Sequence, residues 1–275
     1  MTQHPALAPG NVAVITGAAD GIGLAASKKL RALGLRVCMA DIDSDKLSSA
    51  SQEVGDSLAS PTDVSKLEDI ERLRDRVYAE YGRVDVLMNN AGTGRGTGSW
   101  REHGNWQTTL GVNLWGVING VHCFVPDMVE RGEAGLVINT GSKQGITCPP
   151  GDPAYNVSKA GVKAATEALA HELRNTDGCR IDAHLLVPGF TYTGMIRQFL
   201  PDKPDGAWTA EQVVDFMIES VGRGDFYILC PDNDVTREMD NKRMEWAMGD
   251  LIHNRPALSR WHPDYEAAFA DFMKD

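Results

Sequence analysis

Two residues with complementary chemistry stand four positions apart in the middle of the chain: Tyr155 and Lys159, in the segment Tyr-Asn-Val-Ser-Lys. If the segment is helical, both side chains leave the same face of the helix. A neighbouring ammonium favours the phenolate, so the pKa of tyrosine, about 10 when unperturbed, can fall towards neutrality. Such a phenol can exchange a proton with an alcohol or ketone oxygen while hydride leaves or arrives. The alternative is an ordinary surface pair, and only partners elsewhere in the chain distinguish the two.

The size and charge of the chain limit the classes of function. The 275 residues are 42% hydrophobic, and α/β chains of this length often form one domain, so we expect a single domain, residues 1–275, with one large core. The formal net charge of −11 argues against a surface for nucleic acid or anionic membranes, both of which require clustered Lys and Arg. Small molecules and other protein subunits are the expected partners.

The cysteines and the N-terminal segment indicate a compartment. The five cysteines are widely scattered and never form Cys-x-x-Cys, so they indicate neither a disulfide framework nor a zinc site. The first ten residues lack the basic end and apolar run of a secretory signal, and no stretch reaches the roughly 18 apolar residues of a membrane span. We therefore expect a cytoplasmic protein without a metal.

A glycine turn near the N-terminus predicts a phosphate site. Segment 11–16 (NVAVIT) reads as a strand and leads directly into Gly17-Ala-Ala-Asp-Gly21-Ile-Gly23, which a helical pattern follows. Glycines let the backbone approach a pyrophosphate closely, and the N-terminus of the helix offers free N–H groups and a favourable dipole. A glycine cluster alone is a weak signal, so its context must support it.

Acidic residues at the ends of the next two predicted strands supply that context. Segment 35–40 reads as a strand and ends at Asp41, eighteen residues after Gly23. A carboxylate there accepts hydrogen bonds from the adenosine ribose and repels a 2′-phosphate, which favours NAD over NADP. A turn or helix cap is the alternative for Asp41. Asp63, after the third strand, could accept from the adenine amino group or cap the next helix, and its residue type alone favours the cap.

Strands and helices alternate along the chain, which predicts parallel pairing with helices on both faces of the sheet. Seven strands are expected, at 11–16, 35–40, 57–61, 84–88, 136–140, 180–187 and 226–230. One helix is expected from 100 to about 128 with a break near Pro126, and another over 153–173 that carries Tyr155 and Lys159. The small residues on this second helix fit a subunit interface or tight internal packing. Residues 231–275 are predicted to form a helical extension of the same domain.

Six motifs in register between residues 11 and 230 resemble the short-chain dehydrogenase/reductase family of the non-extended type. In chain order they are Thr16-Gly17-x-x-x-Gly21-x-Gly23, Asn89-Asn90-Ala91-Gly92, Asn113, Ser142, Tyr155-x-x-x-Lys159 and Pro188-Gly189. The resemblance implies a Rossmann-type, doubly wound sheet of seven parallel strands. It also implies an oxidoreductase that assembles as a dimer or tetramer.

The resemblance further implies a catalytic tetrad of Asn113, Ser142, Tyr155 and Lys159. Tyr155 would be the general acid or base, and Lys159 would lower its pKa and bind the nicotinamide ribose. Ser142 would hydrogen-bond the substrate oxygen, and Asn113 would hold a water that connects Lys159 to solvent. The implied cofactor contacts are Gly17, Gly21, Ile22, Gly23, Asp41, Asp63, Val64, Asn90, Ala91, Gly92, Tyr155, Lys159, Pro188, Gly189, Thr191 and Thr193.

The cofactor expected from these residues is NAD. Family members that use NADP commonly place a basic residue in the glycine loop or just after the second strand, and the residues at those positions here are Ala18, Ala19, Asp41 and Ile42. The reaction expected is the interconversion of a secondary alcohol and a ketone. The two alternatives are an NADP-linked carbonyl reductase and a dinucleotide-binding scaffold without turnover, although such scaffolds typically lose part of the tetrad.

A hydrophobic or aromatic substrate is expected. Segment 112–128 is similar to relatives that oxidise alcohols on such molecules. The substrate would lie over Ser142 and Tyr155, and it would be bounded by residues 94–100, 144–148 and 190–195, with Trp208 as a further candidate.

Overall fold

The strands of the protein are short, apolar and mostly buried on both faces, as is typical of strands covered by helices. In the computed structural model, which describes residues 3–274, they are β1 (Val12–Thr16), β2 (Arg36–Asp41), β3 (Ser57–Pro61), β4 (Val86–Asn89), β5 (Gly135–Thr140), β6 (Ile181–Val187), β7 (Thr191–Tyr192), β8 (Trp208–Thr209) and β9 (Tyr227–Leu229). Seven of them pair in parallel in the order β3-β2-β1-β4-β5-β6-β9. The predicted doubly wound sheet is confirmed.

Helices cover both faces of this sheet. They are α1 (Gly21–Ala32), α2 (Ser44–Val54), α3 (Leu67–Tyr81), α4 (His103–Leu110), α5 (Gly116–Arg131), α6 (Gln144–Thr147), α7 (Pro153–Arg174), α8 (Gly194–Arg197), α9 (Ala210–Arg223), α10 (Arg237–Ile252) and α11 (Glu266–Phe272). The alternation of side chains along β1 shows the two layers. Ala13 and Ile15 pack against α1, α2 and α9, whereas Val12 and Val14 pack against α3, α5 and α7.

The order of the strands reverses beside β1. The chain proceeds from β1 outward to β3 and then returns to place β4 on the other side of β1. A crevice forms where the connections diverge, outside the carboxyl ends of β1 and β4, and in open α/β sheets ligands bind at this point. The topology therefore brings the segments that follow Thr16 and Asn89 to one edge of the sheet.

The helix expected from 100 to about 128 is irregular, but at another place than predicted. It runs through Pro126 to Arg131, so the predicted break at Pro126 is wrong. Proline removes one helical hydrogen bond, but Phe124 and Met128 beside it are fully buried and hold the helix against the sheet. The irregular part is a π-helical turn at Gly111–Trp115, between α4 and α5. Such turns are frequent at functional sites.

The chain after β9 folds into helices α10 and α11 with their own small core. Trp246 is buried there, with its ring centroid 5.3 Å from those of Phe269 and Phe272. Its indole N–H donates to Ser259 Oγ at 2.8 Å, and the Arg255 guanidinium lies 4.1 Å from its ring centroid. Within residues 3–274, no helix combines the length and apolar character needed to cross a bilayer.

Candidate active site

A cleft of about 1450 Å³ lies along the carboxyl ends of the central strands. It is lined by the residues that follow β1, β4, β5 and β6, namely Gly17, Asn90, Ser142 and Pro188. Tyr155 and Lys159 also line it. The cleft therefore contains Ser142, Tyr155 and Lys159 at one end and the glycine turn at the other.

Helix α7 positions Tyr155 and Lys159. It begins with Pro153, whose fixed φ suits the first helical position, and Asp152 before it accepts a hydrogen bond from the Tyr155 N–H at 3.4 Å. Lys159 Nζ lies 5.7 Å from the centroid of the Tyr155 ring and donates to the Thr140 carbonyl at 2.8 Å. The four-residue spacing thus brings both side chains into the cleft, with the ammonium fixed to the end of β5.

Ser142 follows β5 and comes close to α7 through a tight contact. A Cβ added to Gly145 would lie 2.5 Å from the Lys159 carbonyl carbon and 2.8 Å from the Ala160 nitrogen. Both are backbone atoms that cannot rotate away. Glycine at position 145 therefore allows the turn carrying Ser142 to pack directly against helix α7.

We expect Gly145→Ala to lower both stability and turnover. The clash with backbone should cost about 1–3 kcal/mol, as overpacking in a dense core does, and it should separate Ser142 from Tyr155. Urea unfolding and initial rates measure the two effects. Gly104→Ala on α4 is the matched control: no atom lies within 4 Å of its added Cβ, so it should stabilise the helix by roughly 0.5 kcal/mol. Equal stability of the two variants would contradict this account.

Asn113 lies in the π-helical turn, and its side chain is completely engaged. Its Oδ1 accepts from the Thr93 N–H at 2.7 Å, and its Nδ2 donates to the Thr93 carbonyl at 2.9 Å and to Ser158 Oγ at 3.1 Å. The residue is fully buried. The side chain thus ties the segment after β4 to α7, and the role of Asn113 in holding a water stays a prediction.

Burial dominates the electrostatics of the pair on α7. It raises the pKa of Tyr155; the Ser142 hydroxyl opposes this rise, and the Asp152 carboxylate adds to it. Burial also lowers the pKa of Lys159 to about 8. In this structure burial moves the pKa of Tyr155 upwards, opposite to the direction expected from Lys159, whose ammonium donates to the Thr140 carbonyl. The lowering of the Tyr155 pKa by Lys159 stays a prediction.

The lowered pKa of Lys159 predicts a pH-dependent stability. Unfolded chains hold lysine with a pKa of about 10.4, so between about pH 8 and 10.4 the unfolded state binds more protons and stability rises with pH. The cost of the buried ammonium, roughly 3 kcal/mol at most, is fully present below pH 8. Lys159→Met should therefore gain stability relative to the parent at pH 7.5, and much of this gain should disappear by pH 10.

Urea unfolding of the two proteins at both pH values measures this difference. Lys163→Met is the matched control, since Lys163 lies on the same helix in a half-exposed pair with Glu167 (Nζ to Oε1, 2.8 Å). Its difference from the parent should not depend on pH in this way. A Lys159→Met difference that is the same at pH 7.5 and pH 10 would show that burial of the ammonium is not costly.

The glycine turn at the other end of the cleft is held by close backbone contacts. A Cβ added to Gly23 would lie 2.1 Å from the Gly17 carbonyl oxygen, and Gly17 has a φ of 64°. Thr16 Oγ1 accepts from the backbone N–H groups of Asn90 and Ala91 at 3.0 and 3.1 Å. These contacts join the end of β1 to the end of β4 and leave no room for larger side chains.

Asp41 lies at the edge of the cleft and contacts the glycine turn. Its Oδ2 accepts from the Ala19 N–H at 3.0 Å and its Oδ1 from the Asp43 N–H at 3.1 Å. Asp43, not Asp41, caps helix α2 by accepting from the Lys46 N–H at 3.1 Å. The carboxylate of Asp41 is therefore held where a bound nucleotide would meet it.

Asp63 and Val64 do not line the cleft. Asp63 Oδ1 accepts from the Ser65 N–H at 3.1 Å and from Ser65 Oγ at 2.7 Å, so the carboxylate closes a turn ahead of α3. Val64 is buried and faces Gly116. The helix begins only at Leu67, so the Asp63 carboxylate does not cap it directly. The contact of Asp63 with adenine stays a prediction.

Most of the predicted cofactor residues line the cleft, and two others lie behind its surface. The cleft is lined by Gly17, Gly21, Ile22, Asp41, Asn90, Gly92, Tyr155, Lys159, Pro188, Gly189, Thr191 and Thr193. Gly23 and Ala91 lie behind this surface and support it. Thr193 comes close to the glycine turn, since a Cβ added to Gly21 would lie 3.0 Å from its side chain. The segment after β6 thus covers the turn.

The remaining lining is more polar than the sequence suggested. It adds Arg95, Asn105, Lys143, Gln144, Asp152 and Arg197 to the apolar side chains Phe190, Met195, Ile196 and Phe199. Of the expected bounds, residues 94–96, 144, 190–191 and 193–195 line the cleft, whereas 97–100, 145–148, Tyr192 and Trp208 do not. Trp100 is 83% exposed, and the partly buried Trp208 packs edge-to-face against Phe216.

Asp152 is the functional residue that sequence reasoning missed most clearly. Its carboxylate accepts from Thr97 Oγ1 at 2.7 Å and from the Gly96 N–H at 3.2 Å, which fixes the glycine-rich segment after β4 to the start of α7. The Asp-Pro pair ahead of the helix could have revealed it, since Asp is a preferred cap and Pro a preferred first helical residue.

Comparison with known proteins agrees with this geometry. The family model described as short chain dehydrogenase matches residues 11–204. The 1-deoxy-11-beta-hydroxypentalenate dehydrogenase of Streptomyces exfoliatus is 32% identical over 259 residues, which cover 90% of this chain and 93% of that protein.

Two solved structures show the same fold. A short chain dehydrogenase/reductase from Burkholderia phymatum in complex with NAD superposes with a TM-score of 0.82 at 30% identity, covering 93% of this chain and 97% of that one. A metagenomic short-chain oxidoreductase in complex with NADP has a TM-score of 0.69 at 29% identity, covering 82% and 98%. The sequence motifs, the sheet and these similarities show that the chain belongs to the short-chain dehydrogenase/reductase family of oxidoreductases.

Proposed function

We propose that the protein is a NAD-dependent oxidoreductase that interconverts a secondary alcohol and a ketone. The observation that carries this proposal is the continuity of one cleft. It holds a phenol, a hydroxyl and an ammonium from Tyr155, Ser142 and Lys159 at one end, and the glycine turn and Asp41 at the other. Acid–base groups and a nucleotide site in one cavity suit a reaction in which a proton and a hydride move together.

The residues present fit a dinucleotide. The turn at residues 17–23 has the close backbone approach that a diphosphate requires, and Asp41 is placed to accept from ribose hydroxyls. Asn90, Pro188, Gly189, Thr191 and Thr193 extend the surface towards Tyr155, and Lys159 would hold the second ribose. When bound, the nicotinamide would supply or accept the hydride. Asp41 favours NAD because a carboxylate repels a 2′-phosphate.

Two side chains would contact the substrate oxygen. Tyr155 would donate its proton to the oxygen in reduction and accept it in oxidation. Ser142 would donate a hydrogen bond to the same oxygen and stabilise the charge that develops on it. The raised pKa of Tyr155 keeps the phenol protonated at neutral pH, so the site suits ketone reduction at neutral pH and alcohol oxidation under alkaline conditions.

The substrate we propose is largely hydrophobic and carries a polar group. Phe190, Met195, Ile196 and Phe199 provide apolar lining, whereas Gln144 and Asp152 provide polar groups. The similar Streptomyces protein is named as the dehydrogenase of a hydroxylated molecule. A bulky alicyclic or aromatic secondary alcohol with a second oxygen therefore fits the lining better than a simple hydrocarbon alcohol.

Absorbance of NADH tests the proposal. Bulky secondary alcohols are offered with NAD, and the matching ketones with NADH, and each assay is repeated with NADP or NADPH. The expected result is turnover of at least one alcohol–ketone pair with a preference for NAD. Tight binding of NADH without turnover of any pair would favour a dinucleotide-binding scaffold, and a preference for NADPH would overturn the reading of Asp41.

A further inference from the structure

The C-terminal extension reaches the active site through two buried carboxylates that face one ammonium. Lys143, the residue after Ser142, has its Nζ 2.6 Å from Asp240 Oδ2 on α10 and donates to Asp232 Oδ2 after β9 at 3.4 Å. The contact with Asp240 is an ion pair by distance and is not aligned as a hydrogen bond, so its attraction is that of the two charges. The Asp240 and Asp232 side chains are only 7% and 5% exposed, and Lys143 is 19% exposed. When one partner of such a pair is removed, a buried charge is left uncompensated, so these contacts are strongly coupled.

Asp232 links the pair to a further segment of the cleft. Its Oδ2 also accepts from the Phe190 N–H at 3.1 Å, and its Oδ1 accepts from the Val235 N–H at 2.8 Å. A Cβ added to Gly189 would lie 2.7 Å from Asp232 Oδ2 and 3.0 Å from Lys143 Nζ. The segments after β5, after β6 and after β9 therefore converge on the Lys143 ammonium.

The turn that carries Lys143 is stiff, so its position is transmitted to Ser142. Ser142 Oγ accepts from the Gln144 N–H at 3.2 Å. The Ser142 and Lys143 carbonyls accept from the Gly145 and Ile146 N–H groups, each at 3.0 Å. Movement of Lys143 would therefore move Ser142 with it.

Helix α10, which carries Asp240, is held in place at both of its ends. Thr236 caps it by accepting from the Met239 N–H at 3.2 Å, and Asp240 lies in its first turn. Its later part is fixed by Trp246, whose side chain forms the core of the extension. The charge of the Lys143 ammonium is already balanced by two carboxylates. Lys143 is therefore a poor candidate for binding an anionic substrate.

We propose that Lys143 is a positioning residue through which helix α10, by way of Asp240, holds Ser142 in its reactive place. The C-terminal extension is on this account a supporting part of the active site and not an independent appendage. The proposal rests on the proposed function only in the role given to Ser142. It assigns to the extension a defined contact and a defined consequence for the substrate oxygen.

A double-mutant cycle with Ser142 tests the proposal. Asp240→Asn is expected to lower kcat about 10- to 100-fold, because Ser142 acts mainly on charge that develops in the transition state. The dissociation constant of NADH, measured by fluorescence titration, should change less than about threefold, since the glycine turn lies elsewhere and Asp232 still accepts from the Phe190 N–H after β6. Ser142→Ala should lower kcat about 10²- to 10³-fold, and adding Asp240→Asn to it should cause little further loss.

Further variants make the test specific. Glu238 lies in the same first turn of α10, with a side chain that is 81% exposed and an Oε1 atom 4.0 Å from Lys242 Nζ. Glu238→Gln should therefore leave kcat unchanged. Lys143→Met removes the ammonium from two buried carboxylates, so it should lower kcat at least as much as Asp240→Asn. Adding Asp240→Asn to it should cause no further loss. If Asp240→Asn does not fold, Asp240→Glu, which keeps the charge and shifts it by one methylene, replaces it in the same cycle with a smaller expected loss.

The outcomes separate the two proposals. Equal losses from the Asp240 variant with and without Ser142 would overturn the positioning role, as would an unchanged kcat. A better KM for carboxylate-bearing substrates in Asp240→Asn would instead show that Lys143 binds substrate. Failure of the proposed function would look different, because the parent itself would then bind NADH without turning over any alcohol–ketone pair.

Discussion

Replacement of Tyr155 by Phe should lower turnover by roughly 10²- to 10⁴-fold, the usual contribution of a positioned acid or base. The substitution removes one oxygen and keeps the ring that lies beside the Lys159 ammonium. Binding of NADH should therefore remain within about threefold of the parent, because the glycine turn and Asp41 are untouched. Initial rates on an alcohol–ketone pair and a fluorescence titration measure the two quantities.

Tyr78→Phe provides a matched control for the loss of a tyrosine hydroxyl. Tyr78 lies on α3, away from the cleft, and its buried Oη finds no hydrogen-bond partner among the described residues. Removal of that oxygen should leave turnover unchanged and should not destabilise the fold. If both substitutions reduced turnover equally, the effect would belong to general destabilisation and not to the chemistry of Tyr155.

The pH dependence follows from the same phenol. Oxidation of an alcohol requires the phenolate, and burial raises the pKa of Tyr155, so the oxidation rate of the parent should increase with pH throughout the neutral and mildly alkaline range. The residual rate of Tyr155→Phe should lack this increase. A flat profile of the parent, with hydride transfer shown to be rate-limiting by a deuterium isotope effect, would assign the proton to another group.

Local patterns in the sequence predicted the fold well because each depends on neighbouring residues. Most of the seven strands follow from short apolar runs with β-branched residues, although Ser57–Pro61 contains none. Their parallel pairing follows from the alternation with helices. Tyr155 and Lys159 reach one cleft because a helix places residues four apart on one face. Pro126 was misjudged because its effect on the helix depends on the packing of Phe124 and Met128, which no local pattern reveals.

Contacts between distant segments account for the rest of the site. The pair of Lys143 and Asp240 joins residues from two segments that are far apart in the chain, and neither residue carries a local signal of this role. Asp152 is visible as a helix cap, but its hold on Thr97 depends on the path of the loop after β4. The Asp41 and Asp43 carboxylates look alike in sequence, and only their hydrogen bonds separate the cleft residue from the helix cap.

Asp41→Asn should shift cofactor preference from NAD towards NADP. The amide keeps the size of the side chain and one oxygen that can accept from the Ala19 N–H, whereas its NH2 group cannot accept from the Asp43 N–H as the carboxylate does. The change that acts on a 2′-phosphate is the loss of one negative charge at the edge of the cleft. Two charges 4 Å apart repel by about 1 kcal/mol in water and about 4 kcal/mol near a protein surface. The ratio of kcat/KM for NAD to that for NADP should therefore fall by roughly 10- to 1000-fold.

Asp43→Asn is the control that tests whether the shift in cofactor preference depends on the position of the carboxylate. Asp43 is two residues away, caps α2 and lies 3.2 Å from Lys46 Nζ, so its neutralisation changes the net charge of the region equally. Asparagine is an equally good cap, and the preference for NAD should persist in this variant. If both variants changed the ratio of kcat/KM values alike, the long-range electrostatic field of the acidic chain would select the cofactor, and not a carboxylate that faces the ribose. Raising the ionic strength would then weaken the preference for NAD in the parent.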